Sequence, residues 1–148
     1  MIEIDEVTRV TDEIVSALGR LLPQLSPSYG PPSRADLEAM LESRSSTLLV
    51  ARDSGKGGEI VGSLALVLFR IPSGVRAWIE DVVVDAGSRN RGVGEALSRE
   101  ALKRAAAAGA KAVDLTSRAS REAANRLYRR LGFVPRETGL FRYPLGRD

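Results

Sequence analysis

The stretch Arg89-Asn90-Arg91-Gly92-Val93-Gly94 decides how the rest of the chain is read. Ahead of it runs Trp78-Ile79-Glu80-Asp81-Val82-Val83-Val84-Asp85, whose valines predict a buried strand. Behind it runs Glu95-Ala96-Leu97-Ser98-Arg99-Glu100-Ala101-Leu102, with the spacing of an amphipathic helix. A strand, a glycine-containing turn and a helix can together hold a phosphate. The first amides of a helix have no partner within it and lie at the positive end of its dipole. Glycines remove the Cβ atoms that would keep an anion away, and Arg89 and Arg91 add charge. The segment therefore predicts a grip on a pyrophosphate. A purely structural reading, in which the glycines only tighten the turn, stays open beside it.

Elimination narrows the ligand. A Walker loop requires Lys-Ser/Thr after its last glycine, and no lysine follows Gly94. A dinucleotide fingerprint requires a third glycine, where this chain has Leu97, and an acidic residue near the end of the next strand. The only candidate for that acid, Asp114, sits inside its strand.

The chain has 148 residues, enough for one domain with its own core. No apolar run approaches the ~18 residues needed to span a bilayer, and Met1-Ile2-Glu3-Ile4-Asp5 lacks the basic start of a signal peptide. A cytoplasmic chain without membrane contact is expected. Cysteine and histidine are both absent. That excludes disulfides, thiolate chemistry, zinc sites built on those residues, Ser-His-Asp triads and imidazole bases. Acid–base work falls to Asp, Glu, Tyr, Lys or water. The net charge is +3, and arginines cluster near the last helix at Arg118, Arg121, Arg126, Arg129 and Arg130. Aromatics are too few to interleave with them as a nucleic-acid surface would require, so no nucleic-acid partner is expected.

Alternation predicts a first strand over 2–7, and Thr11-Asp12-Glu13 starts a helix running through Ile14, Leu18 and Leu21 toward Pro23. Residues 25–32 read as a loop, and a short helix begins at Ser33 or the residue after it, with Leu37, Met40 and Leu41 on one face. Strands are predicted over 47–51 and 60–69, joined by the turn 53–58, and over 75–84. A helix from about Gly92 to near Gly109 follows, then a strand over 112–116 and a helix capped by Ser120 and ended by Gly132. Phe133-Val134 and residues 140–143 are expected as short final strands. The fold class is α+β with a mixed sheet.

Two motifs in this order, one at the turn and one on the last helix, resemble those of the GNAT superfamily of acyl-CoA-dependent N-acyltransferases. Arg89, Gly92 and Gly94 match its Arg/Gln-x-x-Gly-x-Gly/Ala turn. Ala124-Asn125-Arg126-Leu127-Tyr128 and Gly132-Phe133 match its second signature, on the last helix. The resemblance implies a mostly antiparallel sheet of about six to seven strands with flanking helices and a splayed central strand pair. It implies acetyl-CoA as cosubstrate and no metal. The pyrophosphate would lie on amides from about Arg91 to Glu95, so Arg89, Asn90, Arg91, Gly92, Val93, Gly94 and Glu95 form the binding turn. The pantetheine would run along Val82, Val83 and Val84, and a splayed gap beside 112–116 would admit the thioester.

Roles follow from the same resemblance. Tyr128 lies at the edge of an apolar stripe about 100° wide formed by Leu127, Leu131, Ala124, Ala123 and Ser120, so its phenol can face a cleft and protonate the departing thiolate. A half-buried core tyrosine is the structural alternative. A backbone amide near Val83 suits the oxyanion. Glu80 and Asp81 are adjacent, so on a regular strand they face opposite sides and only one can reach the site unless a bulge intervenes. Glu80 is expected on the face of Arg76, Trp78, Val82 and Val84. Glu80 as general base, Asp81 as base, water as base, and an ion pair with a nearby arginine all remain open. Asn125 is a candidate coenzyme contact, since the family's usual asparagine position, seven before the tyrosine, holds Arg121. Tyr29, Trp78 and Asp81 are candidate substrate contacts, with Arg70 and Arg76, in a site expected from 25–32 and the 69–78 hairpin. Phe141-Arg142-Tyr143 resembles final strands that pair between subunits, which implies a homodimer. The expected reaction is acetylation of a small-molecule primary amine; a protein N-terminal or lysine acetyltransferase and a catalytically silent acetyl-CoA-binding module are the alternatives.

Overall fold

Alternating apolar residues in the first half of the chain pair into an antiparallel ladder. The structure, a computed structural model, describes residues 1–146. The chain folds as two compact units, Met1–Thr116 and Ser117–Asp148. The first contains β1 (Ile2–Glu6), α1 (Asp12–Leu25), α2 (Arg34–Glu42), β2 (Ser46–Asp53), β3 (Glu59–Ile71), β4 (Gly74–Val84), α3 (Val93–Ala107) and β5 (Val113–Asp114). Its five strands form one sheet in the order β1-β2-β3-β4-β5, antiparallel except for the parallel β4–β5 pair.

Thr11 caps α1 by accepting the Ile14 N–H (3.2 Å), and Ser33 caps α2 by accepting that of Asp36 (3.0 Å). Ile14, Ala17, Leu18 and Leu21 fall at helical spacing and are buried. They form one core cluster with Leu37, Leu48, Val50, Ile60 and Val83, so α1 and α2 cover one sheet face. On α3, Val93, Leu97, Ala101 and Ala105 recur every four residues and are buried. The two alanines let this helix lie close to the opposite face.

That approach is closest at Gly62 of β3. A Cβ there would stand 2.8 Å from Val93 Cγ1, 3.2 Å from Leu97 Cδ1 and 3.1 Å from the Val83 carbonyl oxygen. Glycine is required by space, since backbone and two core side chains meet the position.

Pairing between β3 and β4 shifts by one residue. Ala65 lies opposite Glu80 and Ser63 opposite Val83, so Asp81 and Val82 together face Leu64. This is a β-bulge, and Asp81 adopts the left-handed region at φ 51° to make it. Cross-strand partners share a side, so Glu80 lies with Val83 rather than with Val84, which pairs with Gly62. The expected face containing Glu80, Val82 and Val84 therefore does not form, because the bulge reverses the alternation.

The second unit contains α4 (Glu122–Leu131), ended by Gly132 in the left-handed conformation at φ 107°. Three expectations change. Ser120 does not cap α4; Arg121 occupies that position without a side-chain cap, and its carbonyl accepts the Asn125 N–H at 3.0 Å. The strand expected over 112–116 is limited to two residues. No strand forms at Phe133-Val134 or over 140–143 among the described residues, and the sheet has five strands rather than six or seven. A strand exists only with a backbone partner, and this segment, interrupted by Pro135 and Pro144, finds none.

Gly62→Ala should destabilise the fold by about 1–3 kcal/mol through overpacking against α3. Chemical denaturation checks this, and an unchanged midpoint would contradict the close approach.

Candidate active site

The site is built around β4, whose two edges differ. β3 pairs with it along its length, but β5 pairs only at Ala77 and Trp78. Beyond Trp78 the parallel pair parts. Among the described residues, no strand pairs with this edge of β4 over residues 79–84. This is the splayed pair expected from the resemblance, and it leaves the backbone of Val82, Val83 and Val84 beside an open edge.

After β4 the chain enters a braced turn. The Asp85 N–H donates to the Val61 carbonyl (2.8 Å), and Asp85 Oδ2 accepts the Gly87 N–H (3.2 Å). Gln24 of α1 grips the turn twice: its amide donates to Asp85 Oδ1 (2.9 Å) and accepts the Ala86 N–H (2.9 Å). The Gln24 hydrogen bond is the main reason the Asp85 carboxyl is held below the ordinary aspartate value. Lys56 Nζ donates to the buried Ser88 hydroxyl (2.9 Å) and to the Gly87 carbonyl (3.3 Å).

The turn then runs into α3 through two left-handed residues, Asn90 (φ 63°) and Gly92 (φ 79°). Asparagine tolerates that region and glycine adopts it freely. Gly92 is the N-cap and provides no side-chain cap to the first amides of α3; nothing lies within 4 Å of where its Cβ would be. The predicted anion cradle at Gly92, Val93 and Gly94 is thus open and suits a pyrophosphate. Glu95 directs its carboxylate to Arg99 (3.1 Å).

The two arginines of the motif differ. Arg89 is exposed and forms no ion pair among the described residues, so its charge is available to a phosphate. Arg91 Nη2 lies 3.3 Å from Oδ2 of Asp53, a carboxylate with 0 % exposure at the end of β2. That oxygen has no hydrogen bond; the other accepts the Gly55 N–H (2.9 Å) and lies 3.8 Å from the Met1 ammonium. A buried carboxylate requires a counter-charge, so Arg91 pins the turn to the sheet. Asp53, Lys56 and Gln24 were not legible as site residues, because each meets the turn from 31 or more positions away.

Glu80 and Asp81 come to the same side. Ala65, opposite Glu80, and Asp81 both line a cavity of about 190 Å³ between the sheet and α1–α2. Burial, and then the Asp81 charge, push the Glu80 carboxyl above its ordinary value. Partial desolvation alone does the same to Asp81; both residues are exposed, so water still reaches each carboxyl. The bulge that sequence left open is therefore present, and neither carboxylate has an arginine partner among the described residues. Of the other substrate candidates, Tyr29 is 46 % exposed and Trp78 sits opposite Val67; neither lines this cavity. Pro32 does, as do Leu18, Leu37 and Met40, which sequence marked only as helix faces, and Leu22, which it did not single out. A larger depression of about 350 Å³ lies over β1 and the start of α1, where Arg52 already pairs with Asp5 (3.0 Å) and Glu13 (2.7 Å).

In the second unit, Tyr128 is half-buried and its ring meets that of Phe133 edge-on at 5.6 Å. Burial raises the phenol above its ordinary value, with the Arg121 charge opposing, so it remains a proton donor at neutral pH. Asn125 donates its side-chain amide to the Arg118 carbonyl (3.0 Å), bracing the start of α4. No group of acidic residues suited to a metal ion occurs among the described residues.

The profile of the acetyltransferase (GNAT) family matches residues 14–133, spanning both units. An acetyltransferase from Trypanosoma brucei is 27% identical, with 98% of this chain and 100% of that one covered at a TM-score of 0.77. A putative acetyltransferase from Agrobacterium tumefaciens is 25% identical, with coverage of 96% and 99% and a TM-score of 0.82. An aminoglycoside acetyltransferase from an uncultured soil metagenomic sample, solved with sisomicin, shares the fold at 19% identity, 98% and 97% coverage and a TM-score of 0.83. No curated protein matches the chain significantly.

The raised Asp81 carboxyl has a measurable consequence. A carboxyl whose folded pKa is raised favours the fold only while protonated; that contribution is complete below the unfolded value, about 3.9, and is lost as pH rises through the folded one. Asp81→Asn should therefore raise the melting temperature at pH 7, with the gain disappearing toward pH 3, since asparagine also tolerates φ 51°. No gain at pH 7, or an equal gain at both pH values, would contradict the burial cost assigned to this carboxylate.

Proposed function

Because the chain belongs to the acetyltransferase (GNAT) family and is an acyltransferase, we propose that it transfers the acetyl group of acetyl-CoA to the primary amine of a small molecule. The observation that carries the reading is the open β4 edge leading directly into the uncapped start of α3. An extended pantetheine can complete the unpaired edge at Val82, Val83 and Val84 as a strand would. Its pyrophosphate meets the amides at Gly92, Val93 and Gly94, with Arg89 adding charge. Arg91 acts from behind, holding the turn through Asp53.

The amine attacks the thioester carbonyl directly, through a tetrahedral intermediate. A backbone N–H on the open β4 edge, near Val83, stabilises the oxyanion, as preorganised amides do. Glu80 takes the amine proton; its raised carboxyl is a stronger base than an ordinary glutamate. Tyr128 protonates the departing thiolate. A homodimer joined through Phe141-Arg142-Tyr143 belongs to the same reading, supported by Phe141 and Tyr143 at 96 % and 84 % exposure. Light scattering giving the mass of a single chain would remove the dimer.

With no cysteine in the chain, a thiol reagent reports released coenzyme A without protein background. Tyr128→Phe should lower kcat by on the order of 10²-fold while leaving the acetyl-CoA dissociation constant little changed. Full kcat in the variant, with chemistry rate-limiting, removes Tyr128 as the acid.

A further inference from the structure

The cavity beside Asp81 has a composition that selects among amines. Leu18, Leu22, Leu37, Met40 and Leu48, with Pro32 and Ala65, form most of its wall. At about 190 Å³ it lies below the roughly 300–1,000 Å³ of sites for drug-sized ligands. Among the described residues, its only uncharged polar side chain is that of Ser63, itself buried. A polyhydroxylated ligand would leave its hydroxyls without partners against leucine, which disfavours its entry.

Asp81 is the feature the apolar wall does not explain. Its carboxylate has no hydrogen bond or ion pair among the described residues, and it occupies a left-handed bulge position where a β-branched or bulky residue is an outlier. Asp81 is exposed at this cavity, so water solvates its carboxylate when the cavity is empty, and a single ammonium group entering beside the apolar wall can take the place of that water. Asp36 lies at the rim, on the exposed first turn of α2.

We propose that this cavity takes a small primary amine with an apolar body and one ammonium group, held by Asp81, and disfavours polycationic, polyhydroxylated acceptors such as aminoglycosides. The inference rests on the acetyl-transfer reading and gives its acceptor class. The bound ammonium loses two protons overall as the C–N bond forms and the C–S bond breaks: one ends on the thiolate and one leaves to solvent. Met40, unbranched and adaptable, lets the wall accept differently shaped apolar bodies.

The test measures kcat/KM for 3-methylbutylamine and 2-phenylethylamine against kanamycin and spermidine, with acetyl-CoA binding followed separately by calorimetry. The apolar amines should exceed the other two at least tenfold. Asp81→Asn should raise KM for the apolar amines at least tenfold with acetyl-CoA affinity unchanged, and Met40→Trp, which fills the cavity, should do likewise. Acetyl-CoA binding with preference for kanamycin or spermidine, or with no turnover of the apolar amines, overturns the acceptor class alone. Absence of acetyl-CoA binding overturns the acetyl-transfer reading beneath it. If Met40→Trp does not fold, the Asp81→Asn comparison decides.

Discussion

β4 is hydrogen-bonded to β3 from Gly74 to Val84 but to β5 at only Ala77 and Trp78. Everything placed at the candidate site depends on that inequality. Full pairing to β5 would bury the edge at Val82, Val83 and Val84 and leave no backbone for an extended ligand to join. Pairing to β3 keeps the strand rigid while its other edge stays open. The bulge at Asp81 adds a second consequence, since one extra residue reverses the alternation and brings Glu80 and Asp81 to one side. Strain in the backbone and two raised carboxyls coincide at this point. Such features persist where the surrounding structure over-determines them.

The turn between β4 and α3 is held differently, by polar contacts rather than packing. Gln24 fixes its first residues, Lys56 its middle and the Asp53–Arg91 pair its end. These contacts come from α1 and from the β2–β3 turn, so the shape of the cradle does not rest on the flexible glycine alone. The two arginines thereby differ, because Arg91 is occupied with a buried carboxylate while Arg89 forms no ion pair among the described residues. A turn built this way is preorganised, and preorganisation reduces the ordering cost of binding.

Much of this architecture is readable from residues. Valines at 82–84 and the glycines at 92 and 94 announce the strand, turn and helix, because those signals are local. The bulge is not readable. Its key residue is an aspartate rather than a glycine, and nothing in the run 78–84 marks an interrupted strand. Asp53 is likewise invisible: Asp53-Ser54-Gly55 is an ordinary turn signal, and its pairing with Arg91 is a long-range event. The final strands fail for a related reason, since residues 140–143 carry strand-forming side chains but meet no partner backbone within the described chain. Local pattern foretells an element's tendency; pairing decides whether it forms.

One continuous path, from the open β4 edge to the uncapped start of α3, is thus proposed to receive acetyl-CoA. Amide hydrogen exchange with and without acetyl-CoA tests it most directly. Occupancy of this path should slow exchange at Val82, Val83 and Val84 together with Val93 and Gly94, while β1 and β2 exchange unchanged. Protection confined to the depression over β1 and α1, or none along β4, would contradict it.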